Sequence, residues 1–156
     1  MPKLEELYLG QNAISQFNGW EGLPVLRKLH LRKNKIEKFD EEIPDLPELR
    51  YLNMRENKIT AIDQAARMFQ FATLEDLNLV GCPLVRSFSS FNMLMAEILI
   101  RNPKLQRFCK IKVEDSHKLE AVYLAEYRWR IEEEERIRKE REEREREEAE
   151  AAAAEN

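Results

Sequence analysis

Two cysteines, Cys82 and Cys109, are too few for a disulfide framework. The chain also has no Asn-x-Ser/Thr acceptor site. Both absences lead us to expect a reducing compartment, cytosolic or nuclear. Four glycines leave no room for a Gly-rich phosphate loop. The two histidines, His30 and His117, lie far apart, with no Cys, Asp or Glu at zinc-ligand spacing around them. No apolar run nears the roughly 18 residues of a bilayer span, and the N-terminus lacks the apolar stretch of a signal peptide. The net charge of −4 argues against a globally basic nucleic-acid binder. With no convergent nucleophile, base or metal ligands, neither an enzyme nor a bound cofactor is expected.

What is present is unevenly spread. Residues 1–113 carry a net charge of +3 and residues 114–156 a net charge of −7. The first stretch is rich in Leu, Ile and Phe with periodic Asn. In the second, 17 of the 19 residues from 132 to 150 are charged. The expected organisation is therefore a core-forming domain over 1–113 and a charged appendage over 114–156.

The first domain repeats itself. Leu4-x-x-Leu7-x-Leu9-x-x-Asn12-x-Ile14 returns from Leu26, from Leu49 (with Met54) and from Leu74 (with Cys82), at periods of 22, 23 and 25 residues. Leucines two apart point to one face of a strand, so each Leu-x-Leu turns inward. Asn12, Asn34, Asn57 and Cys82 fall where the chain leaves the strand. There a side-chain amide would satisfy backbone groups left by the turn and build a polar ladder. Ile14, Ile36, Ile59 and Leu84, then Phe17, Phe39, Ile62 and Phe88, are expected to fill the far side of the core. This predicts an α/β leucine-rich-repeat solenoid with a short parallel sheet on its concave face. The longer third repeat leaves room for a helix over 64–69.

Beyond Leu84 the pattern changes. Residues 92–101 read as a helix stopped by Asn102-Pro103, and Leu105-x-x-Phe108 as a degenerate fifth strand. A terminal repeat has to cover the apolar end of the stack, so about 81–113 is expected to be a C-terminal cap. Leu4 opens a full repeat with no cap before it. The N-terminal edge is therefore expected to be covered by upstream repeats or by a partner. The tail predicts one helix of roughly 50 Å over about 116–150, at ~1.5 Å per residue, with a frayed end. Leu119, Val122, Tyr123, Tyr127 and Ile131 form a face able to dock on the cap or on a partner. Further along, Glu132–Arg136, Glu134–Arg138, Glu135–Lys139, Glu140–Arg144 and Glu142–Arg146 are spaced to pair.

The outward strand positions carry the binding information. They include Tyr8, Lys28, His30, Arg32, Tyr51, Asn53, Arg55 and Asn78. His30 alone reads as an ordinary surface histidine. Arg27, Lys28, Arg32, Lys33, Arg50 and Arg55 make a basic patch around the column Tyr8, His30, Asn53, Asn78. Tyr and Arg dominate protein interfaces, so an acidic segment of a partner is expected there.

The repeat resembles the 22-residue leucine-rich-repeat subfamily typified by a phosphatase-1 regulatory subunit, and residues 81–115 are similar to its cap. Pro2-Lys3-Leu4-Glu5-Glu6-Leu7-Tyr8-Leu9-Gly10-Gln11-Asn12, Leu29-His30-Leu31-Arg32-Lys33-Asn34 and the Glu/Arg-rich tail resemble leucine-rich-repeat proteins of ciliary axonemal radial spokes. That resemblance implies a structural component of the axoneme in cilia or flagella, with other radial-spoke proteins as partners. A soluble regulatory subunit of an enzyme such as a phosphatase, and an RNA-particle assembly protein, stay open as alternatives.

Overall fold

A computed structural model describes residues 3–17, 19, 22–39 and 43–154. Pro2 of the resemblance motif, and Glu155 and Asn156 of the expected frayed end, lie outside them. By contact the chain forms two compact units, Met1–Ala121 and Val122–Asn156.

In the first unit the repeats place one short strand per coil: β1 (Glu6–Tyr8), β2 (Lys28–His30), β3 (Tyr51–Asn53) and β4 (Asp76–Asn78). The strands pair in parallel, with Leu7, Leu29, Leu52 and Leu77 in one register. From Leu29 onward these leucines are fully buried, as are Leu31, Met54 and Leu79 two residues later. In the first coil Leu4, Leu7 and Leu9 are only half-buried, because β1 is the edge of the sheet.

The polar ladder joins neighbouring coils. Asn57 Nδ2 donates to Met54 O of its own coil at 2.9 Å and to Leu31 O of the coil before at 2.8 Å. Its Oδ1 accepts from Ile36 N at 3.1 Å. Asn34 repeats the arrangement one coil earlier, on Leu31 O, Leu9 O and Ile14 N. Cys82 Sγ donates to Met54 O at 3.3 Å, a weaker bond in the same buried niche. Asn12 is exposed and bonds to Leu9 O and Gly10 O of its own coil. Just before each ladder residue the backbone takes a positive φ, at Gln11, Lys33, Glu56 and Gly81. This left-handed residue bends each coil away from its strand.

Behind the sheet, the rings of Phe17 and Phe39 lie 4.9 Å apart and those of Phe17 and Phe71 6.0 Å apart. Phe71, not Ile62, thus continues the aromatic spine. The longer third repeat inserts α1 (Ile62–Arg67) and a 3₁₀ turn (Met68–Gln70) before the chain returns inward. Ile62 opens that helix half-buried, and Phe88 is half-buried as well.

The end of the stack is built from α2 (Pro83–Ser87), α3 (Phe91–Arg101), β5 (Arg107–Phe108) and β6 (Ile111–Lys112). Ser90 caps α3 by accepting from Met93 N. β5 pairs in parallel with β4, and β6 turns back antiparallel on β5. Sequence reading missed β6. The two-residue turn Cys109-Lys110 puts both residues at positive φ, a job in which Asn-Gly is the recognisable signal.

One helix, α4 (Asp115–Ala154), runs for 40 residues, roughly 60 Å at 1.5 Å each, and includes the terminal alanines. Of its expected apolar face, Leu119, Val122, Tyr123, Tyr127 and Ile131 are all exposed, and Ala121 is buried. A small side chain is what a close helix approach admits. The ion pairs also run opposite to expectation. Arg136 meets Glu140 at 3.0 Å, Arg138 meets Glu142, Arg141 meets Glu145 and Arg146 meets Glu150. Arg136 also reaches back three residues to Glu133 at 2.6 Å. Each exposed Arg has carboxylates at several spacings, and pairs in water differ by only a few tenths of a kcal/mol, ~0.3–0.5 each. The direction of pairing is therefore not encoded by the four-residue spacing alone.

Candidate protein-binding face

The register aligns three columns of outward side chains. The first is Glu6, Lys28, Tyr51, Asp76 and Arg107, and the second is Tyr8, His30, Asn53 and Asn78. A third follows where Gln11, Lys33 and Glu56 donate backbone N–H to Arg32, Arg55 and Val80, placing Gly10, Arg32, Arg55 and Val80 in line.

His30 is the centre of this surface rather than an ordinary surface histidine. Its ring stacks on Tyr8 with centroids 4.2 Å apart and planes at 18°. On its other side Tyr51 lies tilted at 4.9 Å. Strands in parallel register sit about 4.8 Å apart, a spacing close to the centroid separation of offset-stacked rings. Desolvation between the rings pushes the His30 pKa below its ordinary 6.5, which favours the neutral imidazole. The outer ring, Tyr8, is 63% exposed. Its hydroxyl donates to Glu6 at 2.6 Å, and Lys28 Nζ donates to the same carboxylate at 2.7 Å. The hydrogen bonds from Lys28 and then Tyr8 hold the Glu6 carboxyl below its usual range.

The basic patch is largely answered from within the sheet. Arg27 pairs with Glu5, Lys28 with Glu6 and Arg50 with Glu75. Arg32, Lys33 and Arg55 all converge on Glu56. Asn53 and Asn78 turn their Oδ1 atoms back to accept from Arg55 N and Val80 N. Asn78 is 2% exposed, so its reading as a contact residue fails: the bond back to the turn draws its amide into the unit.

Sequence reasoning missed Glu6 and Glu56 as partners of the cations. It also missed Arg107, which meets Asp76 at 3.4 Å. The phase of Leu105-x-x-Phe108 could have placed Arg107 beside Asp76. Tyr51, Asp76, Arg107 and Lys112 line one shallow cleft of about 300 Å³. Burial pushes the Asp76 carboxyl up, partly opposed by Arg107. Among the described residues no cluster of three or more His, Cys, Asp and Glu could hold a metal ion. None of their helices is long and apolar enough to cross a membrane. Cys109 is buried, and desolvation pushes its thiol up to about 12, far from a reactive thiolate.

Coils of this length, with inward Leu-x-Leu, a polar ladder and a parallel sheet, make the fold a leucine-rich-repeat solenoid. The family model for leucine rich repeats matches residues 24–84. Among solved structures 21 chains match. One belongs to the crystal structure of the Drosophila melanogaster SNF/U2A′ complex, similar at a TM-score of 0.68. The match covers 78% of this chain and 68% of that one at 19% identity, a likeness of fold. No curated protein matches in sequence.

Proposed function

We propose that this chain is a non-enzymatic scaffold that docks other proteins on its sheet face. The observation that carries the reading is the Tyr8–His30–Tyr51 stack, which holds a broad aromatic surface rigid and leaves Tyr8 open to solvent. Preorganised aromatics bury area on binding with little loss of side-chain freedom. The half-buried Leu4, Leu7 and Leu9 at the β1 edge offer a further apolar strip for upstream repeats or a partner to cover. The exposed Tyr123, Tyr127 and Trp129 of α4 offer another. The Drosophila melanogaster neighbour was itself solved as a complex, which fits a partner-holding role for this fold.

The finer assignment, to the axonemal radial spoke of cilia or flagella with spoke proteins as partners, rests on the sequence resemblance alone. A tagged chain retained in demembranated axonemes supports it, and a tagged chain absent from them overturns it. Crosslinking mass spectrometry in the native assembly tests the scaffold itself. Crosslinks from Lys28 to another protein, lost in Tyr8→Ala/Tyr51→Ala, are the expected result. Crosslinks confined to this chain count against it. The RNA-particle alternative requires an RNA affinity that falls steeply with salt. Carboxylates interleaved with the strand cations weaken that alternative. A phosphatase-regulating role requires phosphatase activity to co-purify with the chain.

A further inference from the structure

The cations of the sheet face are not equivalent. Arg27, Lys28, Arg50 and Arg107 each meet a carboxylate of their own. Arg32, Lys33 and Arg55 share one, at 3.3 Å, 3.7 Å and 2.8 Å from Glu56. These four residues form a two-by-two lattice on adjacent coils. Arg32 and Arg55 occupy the same repeat position, and Lys33 and Glu56 the next one, both at positive φ. Glycines border the lattice on either side. A Cβ on Gly10 would come 3.2 Å from Arg32 O, and a Cβ on Gly81 would come 2.9 Å from Glu56 Cγ. The glycines thus let Glu56 fold down over the arginines and keep neighbouring side chains away from them.

One carboxylate does not satisfy this cluster. The Nε atoms of Arg32 and Arg55 have no hydrogen-bond partner, and the 2.8 Å approach of Arg55 Nε to Glu56 is too far off line to make one. The local balance is three positive charges against one negative. The cluster also directly adjoins the stack, since Arg32 follows His30 by two residues on the same strand face.

We propose that the Arg32–Lys33–Arg55 cluster is the anchor for an acidic segment of a partner protein, and that Glu56 is an internal carboxylate holding its place. This deepens the scaffold reading and rests on it. A partner Asp or Glu enters beside Glu56, completes the charge balance and takes up guanidinium donors, while the adjoining residue of the segment lies on Tyr8. An acidic protein segment fits better than RNA. Three cations share one carboxylate here, and Glu6 and Asp76 stand along the rest of the face, where a phosphate backbone would need continuous cations.

The test uses the full chain and a short fluorescent peptide of alternating Glu and Tyr, followed by anisotropy at low salt, with a U-rich RNA oligonucleotide as the competing probe. The proposal expects peptide binding that weakens roughly tenfold in Arg32→Ala and in Arg55→Ala, the size of one lost charge-assisted bond. Arg27→Ala should change it less than about twofold, because that cation has its own partner. Glu56→Gln should tighten binding several-fold, a gain that damaged folding cannot imitate. Several results overturn the proposal: no peptide binding, equal losses in Arg27→Ala and Arg32→Ala, no gain in Glu56→Gln, or tighter binding of the RNA than of the peptide. Native crosslinks at Lys28 that persist in Arg32→Ala/Arg55→Ala would remove this anchor while leaving the scaffold reading in place.

Discussion

The two units of this protein are stable for opposite reasons. In Met1–Ala121 the contacts that hold the coils together join residues about one repeat apart: Leu29 beside Leu52 across coils, Asn57 bonded to Leu31 O, Phe17 on Phe39. In Val122–Asn156 the ion pairs join residues three or four apart, on the surface. The first unit is therefore cooperative and sensitive to single buried atoms. The helical unit adds up many weak, interchangeable terms. A rigid recognition face needs the first kind of stability, because rings stacked between strands stay aligned only if the coils do.

That contrast can be broken most severely at Leu52, which is fully buried in the middle of the sheet. Leu52→Ala should cost about 2–5 kcal/mol, the range for emptying a buried leucine site. Chemical denaturation checks it, and a loss under about 1 kcal/mol would mean the coils are not tightly coupled. Asn57→Ala comes next. It leaves Ile36 N without its acceptor and takes one of two donors from each of Leu31 O and Met54 O, which keep Asn34 and Cys82, at roughly 1–3 kcal/mol for such buried groups. Asn12→Ala, at the exposed end of the same ladder, should cost under about 1 kcal/mol. Equal losses at the two sites would show that bonding between coils is not what the ladder contributes.

Arg136→Ala in α4 should lower stability only slightly, and the loss should be partly mimicked by salt. Circular dichroism of the tail reads it, and a large cooperative loss of helix would contradict the additive picture. The smallest expected effect is one of pH. His30 has its folded pKa below the unfolded 6.5, so the unfolded chain takes up the proton first. The contribution of the stack to stability is then complete above pH 6.5 and is lost as pH falls through the folded value. His30→Gln should flatten that part of the stability profile. An unchanged slope would place the titration elsewhere.

Much of the solenoid was legible because its rule is periodic. The spacing of Leu29, Leu31 and Asn34, repeated at Leu52, Met54 and Asn57, predicts strand, inward face and turn together. The spine residue of the long repeat was not legible, since Ile62 and Phe71 both lie inward of a variable helix and only packing chooses between them. The β5–β6 turn was hidden for a different reason, as Cys109-Lys110 carries no turn chemistry of its own. On the binding face, spacing identified Tyr8, His30, Arg32 and Arg55 as facing outward. It also turned Glu6 outward, but it did not pair Glu6 with Lys28 or Glu56 with Arg32, because each pair joins adjacent coils.

Periodicity alone therefore determined that this chain coils, which residues line the interior, and that a charged helix follows. Hydrophobic spacing and short-range helix propensity are local properties that a linear string can carry. Stacking of the coils decided what the surface presents. It turned His30 from a lone histidine into the middle of an aromatic stack, buried Asn78, and neutralised most of a basic patch while leaving three cations on one carboxylate. Those outcomes depend on which side chains meet across adjacent coils, at distances of a few ångströms that repeat length sets only approximately.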